Sequence, residues 1–108
     1  MIVLDLGLDC VFVLSNIEAT MIGKRGKDPK DFRDPTDIFV DDVGNMMVAD
    51  SRNHRLQIIG VDQECAGFVK PDPPFARPTR IFVDPEQREL YVSNKLSKVV
   101  VKYKIMPK

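Results

Sequence analysis

In 108 residues the chain has no tryptophan, one histidine and two cysteines. Without tryptophan, the Trp-Asp pair that marks WD-type β-repeats is excluded. His54 has no Cys or His companion at a metal-binding spacing, and Cys10 and Cys65 fit no C-x-x-C pattern. The two thiols read as reduced, partly buried side chains of an intracellular protein. Long hydrophobic runs are lacking too, since no stretch reaches the roughly 18 apolar residues of a membrane span. The opening MIVLDLGLDCVFVL has no basic leader and carries Asp5 and Asp9 inside it, so it does not read as a signal peptide. The expected setting is cytoplasmic, with no membrane partner. Sixteen acidic and sixteen basic residues cancel, so net charge selects no class of ligand. Helical periodicity is missing as well. No window holds apolar residues at i, i+3, i+4 and i+7 over three turns, which excludes a helical solenoid.

What the sequence does contain is a repeat. Phe75 to Asp84 (FARPTRIFVD) follows Phe32 to Asp41 (FRDPTDIFVD) at an offset of 43 residues. Met46 to Asp50 aligns with Met1 to Asp5, and Leu56 to Ile59 with Val11 to Leu14, at an offset of 45. A period of roughly 40 to 45 residues built from short apolar runs is the size of a four-stranded propeller blade, whereas a β-sandwich has no reason to repeat its sequence. The fold class expected is all-β, with four-stranded antiparallel blades.

Three partial copies follow. Residues 1–31 form an incomplete blade with strands near Met1 to Leu4, Cys10 to Leu14 and Ala19 to Ile22. Residues 32–74 form a complete one, with strands at Thr36 to Asp41, Met46 to Ala49, Arg55 to Ile59 and an outer Cys65 to Val69. Residues 75–108 hold the first three strands of another, at Thr79 to Val83, Leu90 to Val92 and Lys98 to Tyr103. The runs are rich in Val, Ile, Leu and Phe, as strands covered on both faces are. Gly23 to Pro35 and Lys70 to Pro74 carry the Gly, Pro and charge of loops. The total is about two and a half blades of a larger ring, so further blades of the same parent chain are expected to flank it. Unclosed blade edges predict association unless something completes the ring.

In the middle copy Pro35, Asp41, Gly44, Val48-Ala49-Asp50 and Asn53-His54-Arg55-Leu56 resemble the NHL repeat: proline leading a strand, an Asp and Gly turn, Val-x-Asp closing the second strand, and Asn-His-Arg before the third. Pro78, Asp84 and Asn94 continue the pattern in the third copy, with Lys98-Val99 where His54-Arg55 stands. In the first copy Asp9-Cys10 takes that place. The resemblance implies a partial six-bladed propeller. It also implies a parent like the tripartite-motif RING proteins, whose propellers recruit protein partners or single-stranded RNA for ubiquitin transfer or post-transcriptional control. Ligase chemistry would lie outside these residues, which have no RING or B-box ligand spacing. Similar propellers serve as plain protein scaffolds or, in one lyase, hold a metal on the axis.

On this reading Pro35, Asp41, Gly44, Asp50, Arg55, Pro78, Asp84 and Asn94 build the repeat. Asp50 is expected to accept backbone hydrogen bonds from its own loop and to pair with Arg55. No catalytic residue, cofactor or metal ligand is expected within the chain. Sorting the loops by the face of a propeller from which they leave gathers Lys24, Arg25, Lys27, Lys30, Arg33, Arg52, Arg55, Lys70, Arg77, Lys95 and Lys98 on one side, against Asp5, Asp9, Asp28, Asp31, Asp34, Asp50 and Asp72. Glu18, Asp41, Asp42, Asp62, Glu64, Asp84, Glu86 and Glu89 fall on the other with Arg88 alone, and from the first side Lys24, Arg25, Lys27, Lys30, Arg52, Lys95 and Lys98, with His54, make the basic set. The basic set is the candidate surface for a protein partner or single-stranded RNA. Only Phe32 and Phe75 lie near it as stacking platforms for bases.

Overall fold

A computed structural model describes residues 2–5, 9–14, 19–69 and 75–104, of which 2–5, 12–14 and 19–20 are described for the backbone alone. The loop expected at residues 70–74, Glu18 and the chain after residue 104 lie outside the described residues. Among the described residues ten strands run in chain order: β1 (Ile2–Asp5), β2 (Cys10–Leu14), β3 (Ala19–Ile22), β4 (Pro35–Val40), β5 (Met46–Asp50), β6 (Arg55–Ile59), β7 (Cys65–Phe68), β8 (Pro78–Asp84), β9 (Glu89–Asn94) and β10 (Val99–Lys104). A single 3₁₀ turn, Ser51–Asn53, is the one helical element among the described residues. No helix there is long and apolar enough to cross a membrane.

The strands form three antiparallel meanders, ordered β1-β2-β3, β4-β5-β6-β7 and β8-β9-β10. The expected strand set is therefore present, shifted at its ends by a residue or two. β4 begins at Pro35 and stops at Val40, because the Asp41 carboxylate turns inward to the reversal: its Oδ1 accepts the amides of Val43, Gly44 and Asn45 at 2.9–3.0 Å. Gly44 takes φ of 103° in that reversal, a conformation open to glycine.

Period-two alternation in β5 divides two cores. Met46 and Val48 join Val11, Ile22, Phe32 and Ile59 between the first and middle sheets. Ala49, with Met47 packed alongside, joins Leu56, Phe75, Leu90 and Val92 between the middle and third sheets. A sheet covered on both faces reads as a continuous apolar run, which is why MMVA carries no polar residue. The leading strands lie side by side, β1 against β4 and β4 against β8. Asp37 of β4 accepts the Ile81 amide of β8 at 2.8 Å, and Thr36 donates to the Pro78 carbonyl at 3.3 Å.

Both prolines open their strands and pair with the acid or amide that closes the next one, Pro35 with Asp50 and Pro78 with Asn94. The register slips immediately after each, between Pro35 and Asp37 and between Pro78 and Arg80. Proline has no N–H to give the ladder, so a strand's first residue beside a bulge is where it fits.

Candidate functional site

Two hydrogen-bond brackets recur and shape the loops at one end of the sheets. Within a sheet, Asp50 Oδ1 accepts the Arg33 amide at 2.6 Å and Asn94 Oδ1 accepts the Ala76 amide at 2.9 Å. These donors stand two residues before Pro35 and Pro78. Asp50 was expected to hold its own loop through backbone amides. It instead holds the segment leading into β4, and meets its own loop through the side chains of Asn53 (3.0 Å) and Arg55 (2.7 Å).

Between sheets, Asp9 Oδ1 accepts the Asp34 amide and His54 Nδ1 the Arg77 amide, each at 3.0 Å. Asp9, His54 and Lys98 occupy one repeat position, immediately before β2, β6 and β10, with φ of 52°, 54° and 58°. Asp, Asn and His are the non-glycine residues most tolerant of that left-handed region. A short acceptor there reaches the next sheet's lead-in. His54 is thus a tie between sheets, and its Nδ1 is an acceptor rather than a donor.

Every guanidinium nitrogen of Arg55 is engaged. Its Nε binds Asp50, Nη1 donates to the Lys27 carbonyl at 2.7 Å, and Nη2 donates to the carbonyls of Asp28 (3.0 Å) and Asp31 (2.9 Å). The guanidinium also lies 4.6 Å from the Phe68 ring centroid. Gln57, buried beside it, donates to the Asp31 carbonyl and accepts the Lys30 amide. Together they fix residues 27–31 over the end of β6.

Three other arginines line a cleft of about 480 Å³, Arg25, Arg33 and Arg52, together with Asp9 and Asp34. Arg25 pairs with Asp9 through Nε at 2.6 Å, and Arg52 with Asp34 through Nε at 3.5 Å. Arg77 reaches Asp34 from the third sheet at 3.3 Å. Burial by itself would raise the Asp9 carboxyl. The hydrogen bonds from Arg25 and the Asp34 amide, with the charges of Arg25 and Arg33, outweigh it and hold the group below the usual carboxylate value.

Of the basic residues picked out by sequence, Arg25 and Arg52 line this cleft. Lys24 pairs with buried Asp31 at 3.2 Å, on the same lead-in. Lys30 does not stand apart from the acidic residues as sorted: its ammonium is 3.4 Å from Glu64. Lys27 is exposed, and Lys95 and Lys98 sit on the β9–β10 turn outside the cleft. The structure adds Asp9, Arg33 and Asp34, which the sequence reading placed on this face but not among contact residues. Their signal was the pair of positions ahead of each proline, Arg33-Asp34 and Ala76-Arg77, whose amides take up the brackets. Phe32 and Phe75 are withdrawn as stacking platforms, being 0% and 7% exposed in the two cores. No protein-family model matches the chain, and a search of curated proteins finds no significant match.

Proposed function

We propose that the chain is about two and a half blades of a six-bladed NHL-type β-propeller, acting in the cytoplasm as a non-catalytic recognition module. Its partner is an anionic segment of another protein, taken on the face where the lead-in loops and the β5–β6 type turns emerge. In a tripartite-motif RING parent such a module would choose the target for ubiquitin transfer or for post-transcriptional control.

The observation that carries the reading is the contrast among cations on that face. Arg55 is used up by the fold, whereas Lys27, Lys95 and Lys98 have no ion-pair partner among the described residues, and Arg25 and Arg52 keep their terminal nitrogens out of every hydrogen bond there. A protein ligand is favoured over single-stranded RNA because the two nearby phenylalanines are buried, and base stacking supplies much of single-strand affinity.

Binding of polyglutamate and of oligouridylate to the whole chain, measured against salt, tests this. Polyglutamate is expected to bind, with an affinity that falls as salt rises and falls again when Lys27, Arg52, Lys95 and Lys98 are together changed to Glu. Failure of polyglutamate to bind, or binding indifferent to those charges, would end the reading.

A further inference from the structure

We infer that the cleft between the first and middle sheets, lined by Asp9, Arg25, Arg33, Asp34 and Arg52, is a carboxylate-binding pocket that takes an Asp or Glu side chain of an extended acidic peptide. The inference rests on the recognition reading above and assigns it one site and one ligand chemistry.

The arrangement of nitrogens points to it. Arg25 donates its Nε–H to Asp9 at 2.6 Å, and Arg52 lies with its Nε 3.5 Å from Asp34 in an ion pair without a hydrogen bond. Their side chains are 75% and 61% exposed, and the two Nη groups of each have no protein partner among the described residues. An arginine anchored at Nε presents its remaining N–H groups as a fork whose direction is already set, which is the geometry a carboxylate meets with two parallel bonds. Arg33 is exposed and forms no ion pair among the described residues, while its backbone is clamped by Asp50. Contrast with Arg55 makes the point: a guanidinium that serves the fold has its donors engaged on carbonyls, and these do not.

Charge selects the ligand. The three guanidiniums of the lining, with Arg77 on Asp34 beside them, outnumber the two carboxylates and leave the cleft positive, which suits an anion. Asp34 adds a further selection. Its Oδ2 is taken by Arg52 and Arg77, while Oδ1 of this part-exposed side chain accepts no hydrogen bond among the described residues and is an acceptor for an N–H. A peptide brings a carboxylate with amide N–H groups beside it. The volume, about 480 Å³, falls in the range of small-ligand sites, about 300–1,000 Å³, and admits a side chain with its adjoining peptide units.

The test uses the whole 108-residue chain and a fluorescent, end-capped peptide of alternating glutamate and glycine, its glutamine analogue and oligouridylate, by anisotropy at low salt. The glutamate peptide is expected to bind and the glutamine analogue not to. Arg33→Gln, which breaks no ion pair seen among the described residues, should weaken binding about tenfold, as should Arg52→Gln with thermal melting as a fold control. Lys95→Gln and Lys98→Gln should change it little. Equal binding of the glutamine analogue, an Arg33→Gln chain that binds as well as wild type, or preference for oligouridylate would overturn the pocket. Loss confined to Lys95→Gln and Lys98→Gln would also overturn it, yet leave recognition of acidic partners standing. No binding to either anion would remove both.

Discussion

His54 shows how one residue's chemistry is decided by its backbone. It sits in the left-handed region at the position held by Asp9 and Lys98 in the other copies, and its Nδ1 receives the Arg77 amide. His54→Ala is therefore expected to lower stability by about 0.5–1 kcal/mol, and His54→Asp to recover part of it, because aspartate makes the equivalent bond to Asp34 in the first copy. Denaturant titration of the three proteins checks this. Asp9 supplies a pH signature. Its carboxyl is held below the ordinary value near 3.8, so its contribution is complete above that pH and is lost as pH falls through the folded value. Melting temperature measured from pH 6 downward should drop on the acid side in wild type, with a shallower drop in Asp9→Asn. Equal slopes would remove Asp9 from the account.

Elements are stabilised here by what crosses between them. Asp50, wholly buried at the end of β5, joins the Arg33 amide ahead of β4 to Asn53 ahead of β6 and Arg55 at its start. Asp50→Ala leaves a buried amide without its acceptor and Arg55 without its counter-charge, for an expected loss of about 3–5 kcal/mol. Asp50→Asn should cost clearly less, since Asn94 makes the same backbone bond at the end of β9. Phe32 fills the space between the first and middle sheets with its ring against Gly23, whose φ is 90°. Phe32→Ala is expected to cost about 3–5 kcal/mol by emptying that core. Urea unfolding with an unchanged slope would report both effects as stability alone.

Over the whole molecule, the sheets are unequally covered. Phe82 and Val100 on the third sheet are 63% and 65% exposed, whereas Leu56, the repeat partner of Val100 in the middle sheet, is fully buried against the third. An apolar sheet face of that kind is ordinarily a contact surface. The isolated chain is expected to self-associate in sedimentation velocity, and Phe82→Ser with Val100→Thr to shift it toward monomer. A wild-type chain that sediments as a compact monomer at all concentrations would contradict this.

The sequence by itself determined the strands, their grouping in three repeats, and the positions of Pro35, Pro78, Asp50 and Asn94, because each follows from short-range rules: alternation, the missing proline N–H and the reach of a short polar side chain. Even the paired cores were legible in the two-sided apolarity of MMVA. Which arginine is free and which is bound was not. Arg25, Arg52 and Arg55 look alike in the chain, and only the folded arrangement decided that Arg55 lies over four acceptors from residues 27–31 and Asp50 while Arg25 is bonded at Nε alone and Arg52 only pairs with Asp34 at 3.5 Å. The same holds for Phe32 and Phe75, which tertiary packing turned inward, and for Lys30, brought to Glu64 across 34 residues. Local geometry is written in neighbouring residues, whereas the partner of a long flexible side chain depends on which distant backbone the sheets bring beside it.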